Sequence, residues 1–174
     1  MKWIAISGSW RHTNKKVEED VRRRVREIFR SENGIVFGGS LGVDYFATDE
    51  AIRLDPSAEK MRIFLPTSIE IYIRHYQKRA EEGVITTEQV AMLTSQLEKI
   101  VKINKEAIIE NPKQKEVNKR TYYKRICRIV EFSDELTAFH VNGTRGVQHT
   151  IDEARNKGIP VKIFTYRIGY QTSK

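Results

Sequence analysis

Apolar and polar positions along the chain change period several times, and each change marks an element. The run KWIAI at 2–6 is apolar and stops at Ser7-Gly8-Ser9, which predicts a buried strand. Val17, Val21, Val25, Ile28 and Phe29 then recur at helical spacing with charges between them. Thr13 and Asn14 are the candidate caps of that helix, and Asn33-Gly34 reads as its left-handed stop. Ile35-Val36-Phe37 predicts a second strand, followed by the turn Gly38-Gly39-Ser40-Leu41-Gly42 and a helix carrying Val43, Phe46, Ala47 and Ala51 inward. A third strand over 61–65 closes at Pro66. The last third repeats the pattern: a strand over 136–141, a turn over 142–146, a helix over 147–157 stopped by Gly158, and a final strand over 160–164.

Strands alternating with helices at this spacing predict an α/β fold, a Rossmann-like parallel sheet with helices on both faces. The about seventy residues between Pro66 and Leu136 exceed the roughly dozen that a simple crossover needs. Thr86 and Gln89 form a candidate capping box, and Val90, Leu93, Leu97, Ile100, Val101, Ala107 and Ile108 follow at helical spacing until Asn111-Pro112. A further pattern runs through Val117, Tyr123, Ile126 and Val130. The expected organisation is a single domain over 1–174 with a helical insertion at about 67–130, between the third and fourth strands.

Composition narrows the class. With 174 residues, 39% hydrophobic and 31% charged, the chain is long enough to bury a core and reads as soluble. No apolar run approaches the ~20 residues of a membrane span, so no membrane partner is expected. No secretory signal is read ahead of the first strand, and the single cysteine, Cys127, has no internal disulfide partner. A cytoplasmic location is the resulting expectation. The net charge of +8 favours phosphate-bearing partners. Residues 99–128 hold ten Lys/Arg against Glu106, Glu110 and Glu116, so the insertion carries most of that excess.

Chemistry is concentrated where strands end. In open parallel sheets, ligands bind at the carboxyl ends of strands. Three loops leave such ends with small hydrogen-bonding residues: Ser7, Gly8, Ser9 and Arg11; Gly38, Gly39, Ser40 and Gly42; and Asn142, Gly143, Thr144 and Gly146. Glycine lets backbone approach a ligand, and helix N-termini favour anions. Together the loops read as a phosphate cradle, with Arg11 as a guanidinium fork for a phosphate. There is neither a GxxxxGK[ST] loop nor a GxGxxG fingerprint, which argues against P-loop hydrolysis and an ordinary dinucleotide site. Trp10, Tyr122, Arg125 and His149 are candidate further ligand contacts. Asp44 either organises the glycine turn or contacts a sugar or base.

The set ISGSWR, VFGGSLGVD and FHVNGTRGVQHTIDEARNKGIPV resembles the SLOG superfamily, which includes DprA-like DNA-processing proteins and LOG-like phosphoribohydrolases. The resemblance covers about 2–66 and 130–165. It implies a Rossmann-like fold that binds a nucleotide, a nucleotide-derived signal or a nucleic-acid phosphate, and a homodimer. Gly38, Gly39, Gly42 and Asp44 match the second-strand motif, Gly146 the glycine opening the last phosphate-binding helix, and Thr150 its internal threonine. Val147 stands where the commoner motif has threonine, and Thr144 upstream is the candidate replacement hydroxyl.

LOG-like enzymes carry PGGxGTxxE, and the corresponding loop here lacks the double glycine and that glutamate; Glu153 falls too late and reads as solvated. His12, His75, His140 and His149 show no metal-ligand spacing with one another or with Cys127, which reads as core. No metal and no required cofactor are therefore expected. The first reading is a sensing or regulatory domain for a phosphorylated, nucleotide-derived small molecule rather than a catalyst. The alternatives are DprA-like single-stranded nucleic-acid binding and, second, LOG-like cleavage of nucleoside monophosphates.

Overall fold

A computed structural model of the chain describes residues 1–169. Strand β1 (Trp3–Gly8) leads into α1 (Lys15–Arg30), β2 (Gly34–Phe37) into α2 (Val43–Leu54), and β3 (Met61–Phe64) into α3 (Ile69–Glu81). Then come α4 (Thr87–Ile103), a 3-10 turn (Lys105–Ala107), the two-residue strand β4 (Ile108–Ile109) and α5 (Lys119–Phe132). The described chain closes with β5 (Glu135–Val141), α6 (Arg145–Lys157) and β6 (Val161–Tyr166). All six strands pair in parallel, in the order β4-β3-β2-β1-β5-β6.

Alternation along the strands divides the core into two layers, because successive side chains point to opposite faces. Ile4, Ile6, Ile35, Phe37, Ile63, Phe139 and Val141 pack with the apolar faces of α1, α2, α3 and α4. Ala5, Val36, Phe64, Leu136 and Ala138 pack with α5 and α6. The fold is thus the Rossmann-like α/β arrangement that the alternation of elements predicts. From β1 the chain adds β2, β3 and β4 on one side, then returns to add β5 and β6 on the other. That reversal separates the loops following β1 and β5 and opens a crevice there, the usual place for a ligand.

Local signals hold at several places. Asn14 caps α1 by accepting from Val17 N–H. Thr86 and Gln89 form both bonds of the capping box on α4, and Gly158 ends α6 in the left-handed region at φ 81°. The end of α1 differs from expectation: Glu32 takes the positive φ, while Gly34 already belongs to β2. Asn33 has another task, since its side chain accepts from Lys2 N–H and ties the entry of β1 to that of β2.

The long segment between β3 and β5 is more integrated than a helical insertion. Ser68 caps α3, an element the apolar pattern did not reveal. Ala107 and Ile108 do not continue α4. Asn104 stops the helix, donates to Ala58 O and accepts from Glu106 N–H, and so turns the chain into β4 at the sheet edge. α5 then crosses over β3 and β1 beside α6, as a core crossover helix. No helix among the described residues is long and apolar enough to cross a membrane.

Candidate functional site

A cavity of about 710 Å³ opens where the carboxyl ends of β1 and β2 meet the start of α6. The three glycine-bearing loops converge on it, yet their backbone donors are in different states. In the first loop, Ser9 Oγ accepts from Arg11 N–H at 3.3 Å and from His12 N–H at 2.9 Å. Ser9 O accepts from Val43 N–H at 3.0 Å, which braces this loop against the start of α2.

The second loop is closed by Asp44. Its Oδ2 accepts from Gly38 N–H at 3.2 Å, Ser40 N–H at 3.3 Å and Ser40 Oγ–H at 2.7 Å. The carboxylate therefore occupies the position that a phosphate would take against these amides. Burial pushes the Asp44 carboxyl above its usual value, while the Arg125 guanidinium and the three hydrogen bonds oppose that rise. Of the two roles open to Asp44, organising the turn is the one with bonds. Two glycines of this loop are fixed by close approach. A Cβ on Gly38 would lie 2.7 Å from the Arg125 guanidinium carbon, and one on Gly42, at φ +69°, would strike the Ser9 carbonyl and the Trp10 backbone.

The third loop is open. Thr144 stands at the N-cap of α6 but makes no side-chain cap bond, and its Oγ1 is buried without a hydrogen-bond partner. The first turn of α6, with Arg145, Gly146 and Val147, lines the cavity directly. Unfilled N–H groups at a helix start carry the positive end of the helix dipole and form a ready anion site. Thr150 is buried below them, its hydroxyl donating to Gly146 O at 3.0 Å.

The opposite wall is aromatic and basic. On α3, His75 and Tyr76 stack edgewise with centroids 5.8 Å apart, and His75 meets Tyr122 of α5 at 6.4 Å. Arg125 lies over the Tyr122 ring at 4.9 Å, donates from Nη1 to Gly38 O at 2.9 Å, and keeps an enclosed Nε without a partner. Burial and the neighbouring Arg79 hold His75 below the usual imidazole range. At the mouth, Trp10 is 39% exposed and carries Arg11 over its ring at 5.6 Å. Among the described residues, five cationic side chains line the cavity (Arg11, Arg79, Lys119, Arg125 and Arg145), against one carboxylate, Asp44.

Of the residues singled out in sequence, Ser7, Gly8, Ser9, Trp10, Arg11, Gly38, Ser40, Asp44, Tyr122, Arg125, Thr144, Gly146 and Thr150 line this cavity. Gly39, Gly42, Asn142, Gly143 and His149 do not. Gly39 faces Ile63 and Leu65. Asn142, at φ 52°, uses its amide to hold Ile168 through two hydrogen bonds. The His149 ring packs on Tyr123 at 4.2 Å. His75, Tyr76, Arg79 and Arg145 were missed. The Ser68 cap preceding α3 was the available signal for the first three, and Arg145 stood inside the third loop.

No family model matches the sequence, and no curated protein matches it. Solved structures do. DNA processing protein A from Helicobacter pylori, described for its single-stranded DNA binding mode, superposes with a TM-score of 0.69 at 20% identity, over 97% of this chain and 67% of that one. DNA processing protein A from Streptococcus pneumoniae gives 0.61 at 14% identity, over 98% and 52%. This chain thus spans about half of the latter's length. The molybdenum cofactor carrier protein from Chlamydomonas reinhardtii gives 0.58 at 14% identity, over 95% and 79%. At the level of the fold, the chain shares its Rossmann-like α/β architecture with these proteins.

Proposed function

We infer that the cavity binds a phosphate-bearing nucleotide unit, with the phosphate at the N-terminus of α6 and the base against the aromatic wall. One observation carries this reading: five cationic side chains and an uncapped helix start face the cavity, while its single lining carboxylate is already hydrogen-bonded. Thr144 Oγ1 and Arg125 Nε, both enclosed without partners, are donors suited to an oxyanion. Tyr122 and Trp10 bring aromatic rings to the cavity on which a base can stack. The primary reading is binding of a free mononucleotide or nucleotide-derived signal, in a sensing or regulatory role.

A second reading has specific support. Trp10, Arg11, Lys119 and Arg145 are exposed at the mouth, where a continuing strand would pass, and the Helicobacter pylori protein binds single-stranded DNA. The nucleotide unit then belongs to a chain. LOG-like cleavage would have to use Asp44, the one carboxylate in the lining.

The test uses Trp10 as reporter. The chain has two tryptophans, so Trp3→Phe leaves Trp10 alone. Nucleoside monophosphates and a short single-stranded oligonucleotide are titrated separately while fluorescence is followed. Saturable quenching by a mononucleotide is the expected result. A response confined to the oligonucleotide and falling steeply with salt selects the second reading. Free base released from a monophosphate establishes cleavage. Indifference to every probe retires the site.

A further inference from the structure

Helices α5 and α6 bring together a second set of reactive side chains, outside the cavity. Cys127 on α5 and His149 and Glu153 on α6 hold their donor atoms within 4.8 Å of one another. The Cys127 thiol donates to Glu153 Oε2 at 3.7 Å. Neither Cys127 nor Glu153 has the place read for it from sequence: the thiol is half-buried between helices, and the carboxylate is drawn in to meet it. The Nε2 of His149 is enclosed by protein with no hydrogen-bond partner. Its ring is held on Tyr123, with centroids 4.2 Å apart and planes 31° apart, so the imidazole is already oriented.

The spacing is regular. His149 and Glu153 are four residues apart on α6, which places them on one helical face. Cys127 and Glu131 have the same spacing on α5, and both line a groove shared with His149. Two helices thus face each other with i, i+4 pairs of thiol, imidazole and carboxylate. An enclosed imidazole nitrogen without a partner is costly, and a neutral thiol is a weak companion for a carboxylate. A borderline-soft dication resolves both problems. Zinc-type ions take thiolate, imidazole and carboxylate donors at about 2.0–2.3 Å in tetrahedral geometry. Donors around such an ion lie roughly 3.5 Å apart, so side-chain rotation closes this set onto it.

We propose that Cys127, His149 and Glu153 form a binding site for a zinc-class divalent cation, with Glu131 or water as the fourth donor. Binding releases the thiol proton to solvent. Tyr123, which carries His149, lines both this groove and the nucleotide cavity. The ion would therefore clamp α5 to the second and third turns of α6 and stiffen one wall of the cavity. The proposal is independent of what that cavity binds.

Cobalt(II) is the probe, because the chain has one cysteine and any sulfur-to-cobalt charge-transfer band must come from Cys127. Titration of the tag-free protein is expected to give that band and tetrahedral visible absorption at one equivalent, both displaced by zinc. Cys127→Ser should abolish the band. His149→Phe, which keeps a ring on Tyr123, and Glu153→Gln should each weaken binding at least about 10-fold. Zinc should also raise the melting temperature of the wild type and not of Cys127→Ser. Cobalt binding without the charge-transfer band overturns the proposal. So does a band unchanged in both α6 variants, or an equal zinc shift in wild type and Cys127→Ser.

Discussion

The turns after β2 and β5 look alike in sequence, both glycine-bearing and both feeding a helix, and they are opposite in state. In the β2 turn the chain supplies its own anion, since Asp44 takes the amides of Gly38 and Ser40 together with the Ser40 hydroxyl. In the β5 turn no side chain caps α6, and Thr144 Oγ1 has no partner. Glycine content therefore shows where backbone is left bare. It does not show whether the protein itself fills the space, as at Gly42, or leaves it open, as at Gly146. The first turn is a structural clasp, and the second is left open, which is why the phosphate is proposed to bind there.

The largest expected effect tests the clasp. Asp44→Ala removes the acceptor for three donors and leaves the Arg125 guanidinium without its neighbouring carboxylate. A loss of about 3–5 kcal/mol is expected, because breaking one side of an enclosed charge arrangement leaves the other uncompensated. Urea unfolding measures it, and a loss below 1 kcal/mol would mean that the turn does not depend on Asp44.

Next comes Gly42→Ala, at φ +69° against the Ser9 carbonyl. A cost of roughly 1–3 kcal/mol is expected from backbone strain, again read in urea. The same reasoning applies to Gly42→Asp, in which lost binding would report a displaced loop rather than a missing contact.

The open turn should behave in the opposite way. A side chain at Gly146 meets nothing within 4 Å, so Gly146→Glu should fold with stability within about 0.5 kcal/mol of wild type. Its carboxylate would sit at the positive end of α6 and compete with an incoming phosphate. Nucleotide or oligonucleotide affinity should drop at least about 10-fold, which is about 1.4 kcal/mol. Unchanged affinity in a folded Gly146→Glu protein would exclude the α6 terminus as the anion site.

The smallest effect lies on the aromatic wall. His75 has a lowered folded-state pKa, so it resists protonation more in the folded than in the unfolded protein. Its contribution is complete above the unfolded value of about 6.5 and is lost as pH falls through the lower folded value. Melting temperature should therefore decline between pH 7.5 and 5.5, and His75→Phe should reduce that decline. An identical decline in the variant would show that other groups govern it.

The periodicity at Val17, Val21, Val25 and Ile28 was sufficient to place α1, and alternation of short apolar runs with helical patterns was sufficient for a parallel sheet. These are local or nearly local properties, fixed by which faces must leave water. α3 and β4 were not legible, because one is half-exposed and the other is two residues long; β4 exists because β3 offers it an edge. The loop residues of the cavity could be named, since small residues at strand ends are a local signature, whereas most of its helical wall could not. Whether their amides were free could not be read, because Asp44 lies six residues beyond Gly38 and only the folded turn brings them together.

By itself, then, the sequence determined the layered α/β architecture, the glycine-bearing loops and the excess of positive charge, because each follows from residue type and spacing. Tertiary structure alone decided that Arg125 approaches Gly38, that α6 is left uncapped toward the cavity, and that Cys127 meets His149 and Glu153. Those contacts join residues more than twenty positions apart or depend on which donors remain unpaired, and both are settled only when helices pack on a common sheet.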